Sequence, residues 1–129
     1  MKNKKSLGQH WLNNRAILDE IADLAVAPDA ELCIEIGPGL GTLTSSLLRR
    51  FPEVIAIEFD SDLAQKLPKS FPGKNLRVIE GDFLDADLTQ LTNHRAYSIA
   101  GNIPYYITSP IVKKILSLEQ PPAKVSLLM

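Results

Sequence analysis

The feature that most constrains this chain is a short apolar run, Leu32-Cys33-Ile34-Glu35-Ile36, that stops at three alternate glycines, Gly37, Gly39 and Gly41. A near-continuous apolar run rich in β-branched residues fits a strand covered on both faces, as in parallel sheets. The glycines let the backbone turn sharply and let a ligand come close to it. Thr42 and the residues after it then read as a helix. The same alternation recurs along the chain. Val54 to Glu58, Leu76 to Ile79, Tyr97 to Ala100 and Val125 to Leu128 read as further strands. Asn14 to Ala25, Leu43 to Arg50, Ser61 to Leu67 and Ser109 to Leu118 read as helices, the first with apolar residues at 17, 18, 21, 24 and 25. Asp60-Ser61 and Thr108-Ser109-Pro110 are candidate N-caps. Strand-helix alternation predicts a doubly wound α/β fold with a parallel sheet that runs to about the fifth strand.

Composition narrows the function classes. With 129 residues, 45% of them hydrophobic and 22% charged, the chain can bury one core and is too short for two. No apolar run approaches the roughly 20 residues needed to span a bilayer, and no apolar segment follows the basic N-terminus as in a secretory signal. A membrane partner is not expected. Cys33 is the sole cysteine, which excludes an internal disulfide and a cysteine-cluster metal site. It lies in an apolar run, so a buried structural thiol is expected. No metal is expected, and a reducing cytoplasm fits. Lys2, Lys4, Lys5 and Arg15 precede the first acid, Asp19, so a +4 arm leads a body of ten bases and 15 acids. Such an arm suits phosphate contacts, and it equally suits a solvated terminus.

In doubly wound sheets ligands bind beyond the carboxyl ends of the strands. There, Glu58 ends the second strand, 21 residues after Gly37, where a carboxylate can accept from both hydroxyls of a ribose. Asp82, in Gly81-Asp82-Phe83, can accept from an adenine amino group, with Phe83 or Leu84 against the ring. Each feature alone is weak, since a lone acid after a strand is more often a helix cap. Polar tips after four successive strands, at one edge of one sheet, are much harder to attribute to chance. The glycine spacing also bears on the cofactor. A dinucleotide fingerprint is G-x-G-x-x-G around a pyrophosphate. Here the third glycine is Gly41 and position 42 is threonine. That spacing favours S-adenosylmethionine, which has no phosphate to cradle, over NAD, although Glu58 would suit either.

Asn102-Ile103-Pro104-Tyr105 follows the fourth strand. An exocyclic adenine nitrogen is a poor nucleophile because its lone pair is delocalised into the ring. The Asn102 side-chain oxygen and a backbone carbonyl near Pro104 can accept hydrogen bonds from that amino group and localise the lone pair. Proline fixes the turn, and Tyr105 offers a face on which a base drawn out of its stack can rest. The plainer alternative is an ordinary X-Pro turn with Tyr105 and Tyr106 in the core.

These residues resemble the rRNA adenine N6-dimethyltransferases, the small-subunit rRNA dimethyladenosine transferases in particular. The similar segments are Ser6-Leu7-Gly8-Gln9-His10-Trp11-Leu12, Glu35 to Thr44, Ile57-Glu58-Phe59-Asp60, Gly81-Asp82-Phe83-Leu84 and Asn102 to Ile107, in the family's order. Trp11 stands where phenylalanine is usual. The resemblance implies a Rossmann-like methyltransferase core with S-adenosylmethionine bound at His10, Leu12, Gly37, Glu58, Asp82 and Asn102. Residues 1–13 would be a basic arm and cofactor-covering segment, and 14–129 the core. The family continues with further strands and a small helical RNA-binding domain, so the resemblance covers an N-terminal part only. The implied reaction is dimethylation of two adjacent adenosines near the 3′ end of small-subunit rRNA. The implied partner is that rRNA within immature small subunits, met by a monomer in the cytoplasm.

Other readings remain beside it. The related erythromycin-resistance enzymes methylate large-subunit rRNA and can carry the same Asn-Ile-Pro-Tyr segment. DNA adenine and protein glutamine methyltransferases usually have proline where this chain has Ile103. A non-catalytic ribosome-assembly or nucleic-acid-binding relative need not bind a methyl donor at all.

Overall fold

The computed structural model describes residues 14–103 and 107–129. The arm with His10 and Leu12, and the pair Pro104 and Tyr105, lie outside the described residues. The expected sheet is present. Strands β1 (Leu32–Ile36), β2 (Glu53–Glu58), β3 (Leu76–Glu80), β4 (Tyr97–Asn102) and β5 (Val125–Leu128) are all parallel, in the order β3-β2-β1-β4-β5. In register, Ile34 of β1 stands beside Ile55 of β2 and Ile99 of β4. β4 runs two residues further than its apolar pattern predicts. Gly101 and Asn102 keep pairing with Leu127 and Leu128 of β5, so ladder hydrogen bonds carry the strand past its last apolar residue.

Helices cover both faces. On one, α1 (Arg15–Ala25) and α2 (Thr42–Leu48) pack Leu18, Ile21, Ala22, Ala25, Leu43 and Leu47 against Cys33, Val54 and Ala100. The α1 residues recur at three- and four-residue spacing, the period of a helix face. Asn14 caps α1 by accepting from the Ile17 N–H at 3.2 Å. α3 (Ser61–Lys66) begins at Asp60, whose side chain accepts from the Leu63 N–H. On the other face, α4 (Leu88–Thr92) and α5 (Thr108–Leu116) set Leu88, Ile111 and Ile115 against Ile34, Ile55, Ile57, Tyr97 and Ile99. Burying side chains of this kind stabilises a fold by about 1.5–3 kcal/mol each.

One helix was not expected and one cap needs correction. α4 has only five residues and too little apolar period to be read as a helix, although Asp87 caps it and left-handed Asn93 ends it. At α5 the cap position is Ile107, with no capping side-chain bond, and Thr108 is already helical. Pro110 sits in the first turn, where a missing N–H costs nothing. Cys33 is fully buried, and burial pushes its thiol well above its usual range, as fits a structural thiol.

Gly41 has a packing role. Its φ is +89°, and a Cβ there would lie 2.8 Å from Leu67 Cδ1 and 2.9 Å from Phe71 Cε2. Gly41→Ala is therefore expected to destabilise the fold by about 2 kcal/mol, roughly half from the left-handed backbone and half from overpacking. A lower urea midpoint at unchanged slope would show it; an unchanged midpoint would rule out this packing role.

Candidate functional site

The chain leaves β1 for β2 and β3, then crosses back to lay β4 on the other side of β1. The crevice between the carboxyl ends of β1 and β4 is thus the switch point at which doubly wound sheets bind ligands. A cavity of about 500 Å³ opens there. Gly37 lies at the end of β1, Glu58 and Phe59 at the end of β2, Gly81, Asp82 and Phe83 after β3, and Asn102 at the end of β4. Ile36, Ile57, Leu84, Ile103, Ile107 and Ile111 complete its apolar wall. This size and mixture suit a nucleoside-sized ligand.

Glu58 is 6% exposed, and its carboxylate is held by backbone. Oε1 accepts from the Gly39 N–H and Oε2 from the Asp60 N–H, both at 2.8 Å. Each oxygen keeps a second lone pair, so an oriented pair of acceptors lines the cavity. Asp82 Oδ1 accepts from the Leu84 N–H at 2.9 Å and fixes the turn that carries Phe83. Asn102 Nδ2 is buried with no partner among the described residues. A buried donor left unsatisfied is costly, so its place on a cavity wall points to a polar ligand group.

The expected glycines divide. Gly37 lines the cavity, while Gly39 and Gly41 do not. Gly39 positions Glu58 through its N–H, and Gly41 makes room for Leu67 and Phe71. Apolar residues not singled out from sequence join the wall, among them Phe59, Ile107 and Ile111. Phe59 is 77% exposed, an unusual state for a large ring, and stands beside Glu58. Its place directly after the strand-ending acid was the available signal. Ile107 at the cap of α5 and Ile111 within it, four residues apart, mark the side that this segment turns to the cavity.

Beneath the glycine turn, Glu35 is fully buried and accepts from the Thr44 hydroxyl at 2.5 Å. Burial pushes its carboxyl up to about 8; the Thr44 bond opposes the rise and the charge of Glu58 adds to it.

No lysine or arginine lies among the described lining residues, while two carboxylic side chains do. A pyrophosphate would find no countercharge in this lining. A ligand with an adenosine and a cationic centre would find acceptors for its ribose and amino groups and a favourable field. The residues present therefore fit S-adenosylmethionine. Among the described residues, no group of three or more His, Cys, Asp or Glu side chains is arranged to hold a metal, and no helix is long and apolar enough to cross a membrane.

The family model described as ribosomal RNA adenine dimethylase matches residues 1–129. The chain is 41% identical over 122 residues to ribosomal RNA small subunit methyltransferase A of Mycoplasma capricolum, covering 92% of this chain and 46% of that protein. It is 42% identical over 121 residues to the protein of the same name from Porphyromonas gingivalis, covering 93% and 47%. Among solved structures, a dimethyladenosine transferase from Plasmodium falciparum superposes with a TM-score of 0.74 at 32% identity, covering 89% of this chain and 41% of the other. The 23S rRNA methyltransferase ErmE superposes at 0.73 and 33% identity, covering 84% and 43%. The chain thus spans just under half the length of the curated relatives it matches.

Proposed function

Since this chain belongs to the ribosomal RNA adenine dimethylase family, we propose that it forms the S-adenosylmethionine-binding core of an enzyme that methylates N6 of adenosines in small-subunit rRNA. The observation that carries this reading is the convergence of Glu58, Asp82 and Asn102 on one cavity free of basic residues among its described lining. Gly37, Glu58, Asp82 and Phe83 would hold the donor, with Gly39 supporting Glu58 from behind. His10 and Leu12 of the 1–13 arm would cover it, and residues 14–129 would form the core. When bound, the donor supplies an electrophilic methyl group on a sulfonium. Asn102 and the backbone near Pro104 would accept from the target amino group, and Tyr105 would stack the base. The apolar wall of Ile103, Ile107 and Ile111 would keep water away from the reacting nitrogen. The partner would be rRNA within immature small subunits, met in the cytoplasm by a monomer.

Likeness to ErmE supports large-subunit rRNA as a second reading. The higher identity to proteins named for the small subunit favours the first.

Glu58→Ala is expected to weaken donor binding by roughly 1.5–3 kcal/mol, as for hydrogen bonds to a charged group. Calorimetry checks it, with thermal unfolding run alongside because Glu58 also ties Gly39 to Asp60. Unchanged donor affinity would sink the ribose assignment. Transfer of labelled methyl to immature small subunits and to naked large-subunit rRNA separates the two substrates.

A further inference from the structure

Lys114 lies on α5, one turn beyond the cavity residue Ile111, and points across to the turn after β3. Its Nζ donates to the carbonyl oxygens of Phe83 and of Ala86, the latter at 2.6 Å. It also stands 4.8 Å from the centroid of the Phe83 ring, within cation–π range. Phe83 is 4% exposed and forms cavity wall. The ammonium thus closes the carbonyl end of the short 3₁₀ turn Phe83–Asp85, whose other end is capped by Asp82. No ion pair among the described residues includes Lys114. Burial lowers its pKa, and the charges of Asp85, Asp82 and Asp87 oppose that fall. A side chain that gives up water in order to hold two main-chain oxygens constrains backbone placement. Here the constraint falls on a turn that would otherwise be a surface loop.

We propose that Lys114 is a positioning residue that fixes the Asp82–Phe83 turn against α5 and so sets the selectivity of this end of the cavity for adenine. The proposal rests on the donor-site reading above. Asp82 can accept from the adenine amino group only if the turn is held at the right depth. Lys114 tethers that turn to the helix that carries Ile111 and is capped at Ile107. An amino-to-oxo change on the purine probes this hydrogen-bonding edge, because hypoxanthine presents an acceptor at position 6 and a donor at N1 where adenine presents a donor and an acceptor.

The test measures binding of S-adenosylhomocysteine and S-inosylhomocysteine by calorimetry to the wild-type chain, Lys114→Met and Lys114→Arg, with the melting temperature of each. The wild type is expected to prefer the adenine compound. Lys114→Met should lose about tenfold in affinity for it, the scale of one charge-assisted hydrogen bond, and much less for the inosine compound, so that the preference collapses. Lys114→Arg, which keeps the charge and the donors, should restore the preference. If Lys114→Met weakens both compounds equally, or leaves the preference intact, the positioning role is overturned and the donor site stands. If the wild type binds neither compound, the donor-site reading fails and takes the proposal with it. Should Lys114→Met not fold, Lys114→Gln, which loses the charge and shortens the reach, replaces it under the same criteria.

Discussion

On the proposed function, Asn102→Ala in the full-length enzyme is expected to lower methyl transfer to adenosine by about 10²–10³-fold, the scale seen when one preorganised hydrogen-bonding group is removed from a reacting centre. Donor affinity should change far less. The donor's methyl group needs no activation by this residue. What remains is to make the amino nitrogen nucleophilic and align it, and hydrogen bonds to that group strengthen as it acquires positive charge. Asn102 is the last residue of β4, in register with Leu128 of β5 and on the cavity wall, and on the proposed reading its Oδ1 would accept from that group. Single-turnover transfer to immature small subunits, together with calorimetric donor binding, separates the two effects. Asn102→Asp should retain more activity than the alanine variant, because a carboxylate still accepts the hydrogen bond. If alanine reduced donor binding and transfer in equal proportion, Asn102 would be a cofactor ligand and not a catalytic residue.

Glu35→Gln is expected to remove a loss of stability that the wild type suffers as pH rises from about 4.5 to about 8. The sign follows from linkage. In the folded chain the Glu35 carboxyl is raised to about 8, chiefly by burial, against an ordinary value of 4.5. Between those values the unfolded chain has released this proton and the folded chain has kept it, so the unfolded state binds fewer protons and stability falls with pH. The whole difference is on the order of 5 kcal/mol at 1.36 kcal/mol per unit. Glutamine cannot ionise, and its carbonyl still accepts from the Thr44 hydroxyl. Urea unfolding at pH 5 and pH 8.5 should show the wild type weakening and the variant nearly level in this contribution. Parallel profiles for the two proteins would mean that Glu35 does not hold its proton in the folded state.

Much of the fold was legible from the chain alone because parallel strands buried on both faces must be apolar along their length. The runs at β1 and β2 announce themselves in this way, the half-buried edge strands β3 and β5 are marked by shorter apolar runs, and the spacing of Leu18, Ile21, Ala22 and Ala25 marks α1. α4 was not legible. Five residues make little more than one turn, and its stability comes from Leu88 docking in the core and from the Asp87 cap. The end of β4 was not legible either, since Gly101 and Asn102 have weak strand preference and are strands because β5 pairs with them.

Function divides along the same line. The order of strand-ending groups, Gly37, Glu58, Asp82 and Asn102, is written in the sequence, because in a parallel sheet every strand's carboxyl end faces the same edge. Sequence similarity alone also sets the family. Tertiary structure decided what the individual groups do there. It sent Gly39 to brace Glu58 and Gly41 to make room for Leu67 and Phe71, brought Phe59 to the cavity, and buried Glu35 under the glycine turn. It also laid Lys114 across the carbonyls of a turn 31 and 28 residues away in the chain. Periodicity reports which face of an element is apolar, but contacts between distant elements depend on how those faces meet, and no local pattern in the sequence encodes that.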